Sequence, residues 1–231
     1  MRDLVVVMPV YNEAGCVVAV LQSWLEMLDG LGIDYELRVT NDGSTDGTRA
    51  ALASLAHPAL RVRHQENRGH GPTLQAEYGA AVGEGVWIFQ TDSDGELPAS
   101  AFPACWAGRE AADVWLGVRE GRRGPWSRRV VTGGMCALLR GLFGVRVADP
   151  NCPYRLMRQE VVADFLKRVR PDRTAPNVLL TAFAVRSGVK VREVPVPYTP
   201  RQTGVVSIRA LRLLRVVLRS SVETVSFWRS R

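Results

Sequence analysis

Three carboxylates arrive within five residues at Asp92, Asp94 and Glu96, in the run Gln90-Thr91-Asp92-Ser93-Asp94-Gly95-Glu96-Leu97-Pro98. They follow Gly85-Val86-Trp87-Ile88-Phe89, an apolar run with the length of a buried strand. Asp92 and Asp94 stand two apart in extended chain, so both lean to one side, and Gly95 permits a turn that brings Glu96 round. Clustered anions repel one another unless a cation joins them, and an oxygen-only ligand set suits Mg²⁺ or Mn²⁺. Asp, Ser and Gly are also ordinary turn residues, so the run by itself leaves an acidic surface turn open.

The elements that must position these carboxylates read as alternating strands and helices. Strands are predicted over residues 4–8, 36–40, 60–64, 85–89, 114–118 and 189–196. Helical patterns cover 14–28, 48–55, 73–82, 99–112, 126–142, 160–169, 177–187 and 208–228. Short loops between them predict an α/β fold, a mostly parallel sheet with helices on both faces. The loops after the first, second and fourth strands carry Tyr11-Asn12-Glu13, Asn41-Asp42-Gly43-Ser44 and Asp92-Ser93-Asp94. In a parallel sheet these loops leave at one edge, where ligands bind. Glu13, Asp42, Asp92 and Asp94 therefore converge on one crevice, and carboxylates gathered there need a cation or donors.

A chain of 231 residues suffices for one large domain, burying roughly 70–75% of its unfolded surface. Its hydrophobic content of 46% and charged content of 23% are those of an ordinary globular protein, which argues against a disordered chain. No run reaches the ~18 apolar residues of a membrane span, and residues 1–10 read as the first strand, not a signal peptide. Cys16, Cys105, Cys136 and Cys152 form no CxxC pair, against a zinc site or a disulfide framework. A reducing, cytoplasmic setting is expected. No GxGxxG follows the first strand and no GxxxxGK[ST] occurs, which excludes the usual nicotinamide and P-loop sites. His64 and His70 have no nucleophile motif nearby and read as loop or surface histidines.

The net charge of +7 is concentrated in the tail, where residues 201–231 carry seven arginines and one acid, Glu223. Over 208–228 an apolar stripe through Leu211, Leu214, Leu218, Val222 and Val225 opposes Arg209, Arg212, Arg215 and Arg219. Such a helix packs on its own domain or lies on an anionic membrane surface. Nucleic acid is the least supported partner, because no aromatic residues interleave the basic ones.

Taken together, Pro9-x-Tyr11-Asn12-Glu13, Asn41-Asp42-Gly43-Ser44-x-Asp46-Gly47-Thr48 and Asp92-x-Asp94 resemble the signature of family 2 glycosyltransferases with the GT-A fold. Asp149-Pro150-x-x-x-Tyr154-Arg155, Glu193-Val194-Pro195-Val196 and Arg201-x-x-Gly204-x-x-Ser207 bring the similarity closest to the dolichyl- and polyprenyl-phosphate mannosyltransferases. The resemblance implies a GT-A domain over 1–207, followed by a basic amphipathic helix over 208–231. It implies that Pro9, Tyr11, Glu13 and Asp42 hold the base and ribose of a nucleotide sugar. Asp92 and Asp94 would bind its diphosphate through Mg²⁺ or Mn²⁺, with Glu96 as a further metal ligand. Arg119 and Arg201 would contact phosphates, while Asp149 and Arg155 line the acceptor side. Asn41 stands where a first Asp is usual, and Leu97 where His often follows the metal loop.

The implied reaction is inverting transfer of a hexose, mannose from GDP-mannose first, to a polyprenyl or dolichyl phosphate at the cytoplasmic membrane face. Neutralising the departing diphosphate falls to the metal and the arginines. A hydroxyl acceptor needs a positioned base. Asp149 is the one candidate base, and a lipid phosphate needs none. Alternatives are a UDP-sugar donor with a saccharide or small-molecule acceptor, or a non-catalytic module that binds a membrane surface or nucleic acid.

Overall fold

The computed structural model describes residues 1–121, 126–144, 146–173, 175–200, 219 and 221–227. Seven strands form one sheet: β1 (Arg2–Val10), β2 (Tyr35–Asp42), β3 (Leu60–Gln65), β4 (Gly85–Gln90), β5 (Val114–Glu120), β6 (Arg155–Arg158) and β7 (Val191–Pro197). Their spatial order is β3-β2-β1-β4-β6-β5-β7. β3, β2, β1 and β4 run parallel, as expected. β6 runs antiparallel to both β4 and β5, and β5 pairs parallel with β7.

The six predicted strands are all present. β6 is the addition. Its four residues, Arg-Leu-Met-Arg, are too short and too symmetrically flanked by charge to show a period. Because β6 is inverted, its beginning lies at the edge where β1, β2, β4 and β5 end. The stretch 149–154 that precedes it is thereby delivered to the same edge as Asp92.

Helices cover both faces. On one side α1 (Val17–Asp29), α2 (Thr48–Ala53) and α4 (Phe102–Ala107) pack over Leu4, Val6, Met8, Leu37, Val39 and Phe89. On the other, α3 (His70–Ala81), α6 (Gln159–Arg168) and α7 (Pro176–Arg186) pack over Val5, Val7, Ile88 and Met157. Odd and even positions of β1 thus feed opposite cores, which explains why the strand is apolar throughout. Phe89 meets Phe102 at 4.6 Å and Tyr154 at 4.8 Å between ring centroids, so the strand that carries Asp92 is anchored at its end.

α5 (Trp126–Phe143) follows β5. The helix expected over 99–112 is instead α4 between two 3₁₀ turns, Ala99–Ala101 and Arg109–Ala111, with Gly108 ending the α-helical part. α3 begins at His70, three residues before the expected start, because Pro72 is tolerated in a first turn.

Most of the predicted helix 208–228 lies outside the described residues. Its part at 221–227 is helical, and Phe227 stacks near Phe143 at 6.2 Å. Here the expected stripe is corrected: Val222 is 69% exposed, whereas Glu223 and Thr224 are buried. Among the described residues no helix is long and apolar enough to cross a membrane.

Candidate active site

Sheet register brings the three acidic loops together. Val10 of β1 pairs with Asn41 of β2, and Val7 pairs with Gln90 of β4, so 11–16, 43–47 and 91–98 leave from one edge. The first two loops are stitched to each other. Asn12, in the left-handed region at φ 56°, donates its N–H to Ser44 Oγ at 2.9 Å, and its Oδ1 accepts from Thr45 N–H at 2.8 Å. Glu13 N–H donates to Thr48 Oγ1 at 2.8 Å, and Ala14 N–H to Asp46 Oδ2 at 3.2 Å. Backbone donors of one loop are therefore met by side chains of the other, which leaves Tyr11 projecting with 39% of its surface exposed. Cys16 donates its thiol to Glu13 Oε2 at 3.2 Å and lies 3.7 Å from the Ser93 carbonyl, tying the first loop to the acidic one.

Asp42 is buried, and its carboxylate accepts three hydrogen bonds. Oδ1 takes Gln65 Nε2 at 2.7 Å and Arg68 N–H at 2.9 Å, while Oδ2 takes Gly69 N–H at 2.9 Å. The Asp42 carbonyl accepts from Asn67 Nδ2 at 2.9 Å. Gly43 must be glycine, since φ is 69° and an added Cβ would lie 2.5 Å from the Asn67 nitrogen. This junction fixes the loop 67–69 and with it the start of α3.

Asp92 is built differently. Thr91 N–H continues the ladder to the Val7 carbonyl at 3.2 Å, and the chain then leaves the sheet. Asp92 Oδ1 is shut off from solvent and has no hydrogen-bond partner among the described residues. Burial pushes its carboxyl above the ordinary range, and the charges of His70, Arg119 and Arg155 oppose that rise. Asp94 is pushed up to about 7, first by burial and then by the Asp92 charge beside it. Asp94 Oδ1 accepts Glu96 N–H at 3.0 Å, closing the turn at Gly95. Two neighbouring carboxylates, Asp94 raised by the charge of Asp92 and Asp92 with a bare buried oxygen, fit a divalent cation.

Glu96 lies near enough for its charge to raise both Asp92 and Asp94, but its own groups are engaged elsewhere. Its Oε1 accepts from Tyr198 Oη at 3.2 Å, and its carbonyl accepts Thr199 N–H at 2.9 Å, so it fastens the segment after β7. Among the described residues no three His, Cys, Asp or Glu side chains stand close enough together to hold a metal. In this arrangement Asp92 and Asp94 are the adjacent pair, and Glu96 is held by Tyr198.

On the β5–β6 side, Arg119 grips Asp149 with two bonds, Nε to Oδ2 at 2.6 Å and Nη2 to Oδ1 at 2.8 Å, and each side chain is 9% exposed. A fork this dry and bidentate commits the two groups to each other. Arg155 is fully buried. It donates to the carbonyls of Cys152 (2.8 Å) and Pro150, and to Thr181 Oγ1 at 2.9 Å.

The family model of glycosyl transferase family 2 matches residues 5–166. The chain belongs to that family. Among solved structures, it is similar to glucosyl-3-phosphoglycerate synthase from Mycobacterium tuberculosis in complex with Mn²⁺, uridine diphosphate and phosphoglyceric acid. That match has 22% identity and a TM-score of 0.72, covering 99% of this chain and 79% of that one. The same synthase with UDP-glucose matches at 20% identity and a TM-score of 0.67, covering 98% and 80%. A structure described as a mycobacterial protein matches at 20% and 0.73, covering 98% and 74%. These likenesses establish the GT-A fold.

Within this family 2 glycosyltransferase, Pro9, Tyr11, Glu13, Asp42, Asp92, Asp94, Glu96, Arg119 and Asp149 all sit at the same sheet edge. Their roles divide in ways the resemblance does not imply. Asp42 is a buried clamp for 67–69, not an open ligand. Arg119 and Asp149 face one another. Arg155 is corrected outright: with no exposed surface it supports the loop 149–153 and does not line the acceptor side. Arg201 lies outside the described residues. His70, read as a loop or surface histidine, is exposed at the first position of α3. Sequence reading passed over Cys16, which ties the first loop to the acidic one. Cys16 gave no signal at all.

Proposed function

We propose that the enzyme transfers a hexose, with inversion, from a nucleotide sugar to the phosphate of a polyprenyl or dolichyl phosphate, with GDP-mannose as donor. The observation that carries this reading is the Arg119–Asp149 pair. A sugar hydroxyl would need a base to take its proton. Asp149, the one residue singled out for that task, has both oxygens engaged by Arg119. A phosphate monoester is already ionised near neutrality, since its second pKa is about 6. Its oxygen forms the new bond to the anomeric carbon as the bond to the nucleoside diphosphate breaks, and the diphosphate leaves with the electron pair. No proton moves.

Asp92 and Asp94 would hold Mg²⁺ or Mn²⁺, the latter being present in the glucosyl-3-phosphoglycerate synthase complexes. Two carboxylates with substrate phosphates and water are a usual Mg²⁺ environment, and the ion supplies charge for the leaving diphosphate. The bare Asp92 Oδ1 supports that assignment. Pro9, Tyr11 and Glu13 would bound the base and ribose, and Arg201 would reach a phosphate. Residues 208–231 would bring the domain to the cytoplasmic membrane face, beside its lipid acceptor.

A second reading follows from the fold match: UDP-glucose as donor and a small phosphorylated acceptor, as in the synthase complexes. Labelled GDP-mannose, UDP-glucose and UDP-N-acetylglucosamine, each offered with polyprenyl phosphate or phosphoglycerate and Mn²⁺, separate the two. Label in the lipid phase from GDP-mannose is the expected result. Label only in a water-soluble phosphate ester from UDP-glucose would replace the first reading by the second.

A further inference from the structure

The end of β7 and the residues after it hold three prolines in six positions, Pro195, Pro197 and Pro200, which stiffen the chain and remove donors. Between Pro197 and Pro200 only Tyr198 and Thr199 have backbone N–H groups, and both are used. Tyr198 N–H donates to the Glu120 carbonyl at 3.1 Å, and Thr199 N–H to the Glu96 carbonyl at 2.9 Å. The Tyr198 hydroxyl adds a third bond, to Glu96 Oε1 at 3.2 Å.

These partners stand on different strands of the crevice edge. Glu120 ends β5, and Glu96 belongs to the loop that follows β4. β6 lies between β4 and β5, so residues 198 and 199 cross the edge where β6 begins, beside the stretch that carries Asp149. Glu96 is also tied inward, since its N–H donates to Asp94 Oδ1 at 3.0 Å. One residue thus joins the acidic loop to a stiff bridge. Thr199 and Pro200 are exposed, so the bridge presents an open surface.

The nucleotide-sugar reading above, on which this inference rests, gives the donor the β2–β1–β4 part of the edge. Its base and ribose lie by Pro9, Tyr11 and Glu13, and its diphosphate by Asp92 and Asp94. The β6–β5 part is left to the acceptor, and that is the part the bridge crosses. We propose that residues 198–200 form the acceptor-side wall of the crevice, with Tyr198 as the positioning residue that sets the wall by bonding Glu96. A hydroxyl donating to a carboxylate is a charge-assisted bond, so it holds the wall more firmly than a backbone contact alone.

Steady-state transfer from labelled GDP-mannose to polyprenyl phosphate with Mn²⁺ tests this on the full chain, with UDP-glucose and phosphoglycerate as a second pair. The variants are Tyr198→Phe, Glu96→Ala, Glu96→Gln and the double Glu96→Ala/Tyr198→Phe. Losing one hydrogen bond predicts an acceptor KM about three- to tenfold higher in Tyr198→Phe and in Glu96→Ala. Donor KM, kcat and Mn²⁺ dependence are expected to hold within about twofold in Tyr198→Phe, since the bond acts on the wall and not on the reacting atoms. Glu96→Gln keeps an accepting oxygen and should restore the acceptor KM to near the wild-type value. The double variant should be no worse than the worse single one, because both changes remove the same bond. An unchanged acceptor KM in Tyr198→Phe would overturn the inference alone, and so would additive effects in the double variant. Loss of Mn²⁺ dependence in Glu96→Gln would make Glu96 a metal ligand and overturn it too. Wild type that labels neither acceptor would instead overturn the donor and acceptor reading, and this inference with it.

Discussion

Asp42 ends β2 and Asp92 lies two residues past the end of β4, the two strands that flank β1, and their settings in the sequence look alike. Each stands at the outgoing end of a strand and is followed within a few residues by Ser and Gly. In the fold they are opposites. Asp42 accepts three hydrogen bonds and holds a loop in place. Asp92 presents a buried oxygen with no partner and perturbs Asp94 beside it. A carboxylate satisfied by protein donors builds a site, whereas one left unsatisfied at the same edge is completed by a ligand. The Arg119–Asp149 pair stands between the two cases, satisfied by charge but close enough to act on Asp92.

The contrast makes its sharpest prediction at Asp92. Replacing it by Asn is expected to cut sugar transfer by about three orders of magnitude, roughly 4 kcal/mol of barrier, with no loss of melting temperature. A fall in melting temperature matching that of an Asp42 variant would erase the distinction. Arg119→Ala should cost about 3 kcal/mol or more in urea denaturation, because it strands a buried carboxylate. Adding Asp149→Ala to it is expected to return part of that loss, and a purely additive double variant would show that the pair is not coupled.

Asp42→Ala should destabilise by about 2 kcal/mol, through donors left in place without an acceptor. It should also weaken nucleotide binding through α3, and a normal melting curve would count against the clamp. A smaller effect comes from pH. The Asp94 carboxyl is raised from 3.8 to about 7, so the folded protein keeps a proton that the unfolded chain has lost. Metal-free stability should therefore fall as pH rises through that interval and level off above it. Mn²⁺, which takes the ionised form, should flatten the fall when melting is followed with and without a chelator. Least of all, Tyr198→Phe should cost no more than about 1 kcal/mol and leave Mn²⁺ affinity intact. A large loss of metal binding would return Glu96 to the metal site.

The amino-acid sequence by itself determined the α/β architecture, because strand and helix periods are local and the alternation admits few topologies. It also determined that the acids at 13, 42, 92 and 94 share one edge, since parallel strands put their outgoing loops together. The inverted β6 escaped it, because four residues carry no period and an antiparallel insertion is chosen by packing against β4 and β5. Only tertiary structure decided which carboxylates are free. Gln65, Arg68 and Gly69 reach Asp42 from more than 20 positions away, Arg119 reaches Asp149 across 30, and Tyr198 reaches Glu96 across 102. Residue type says that an oxygen can accept a bond. Whether a donor is already there is a property of the folded neighbourhood.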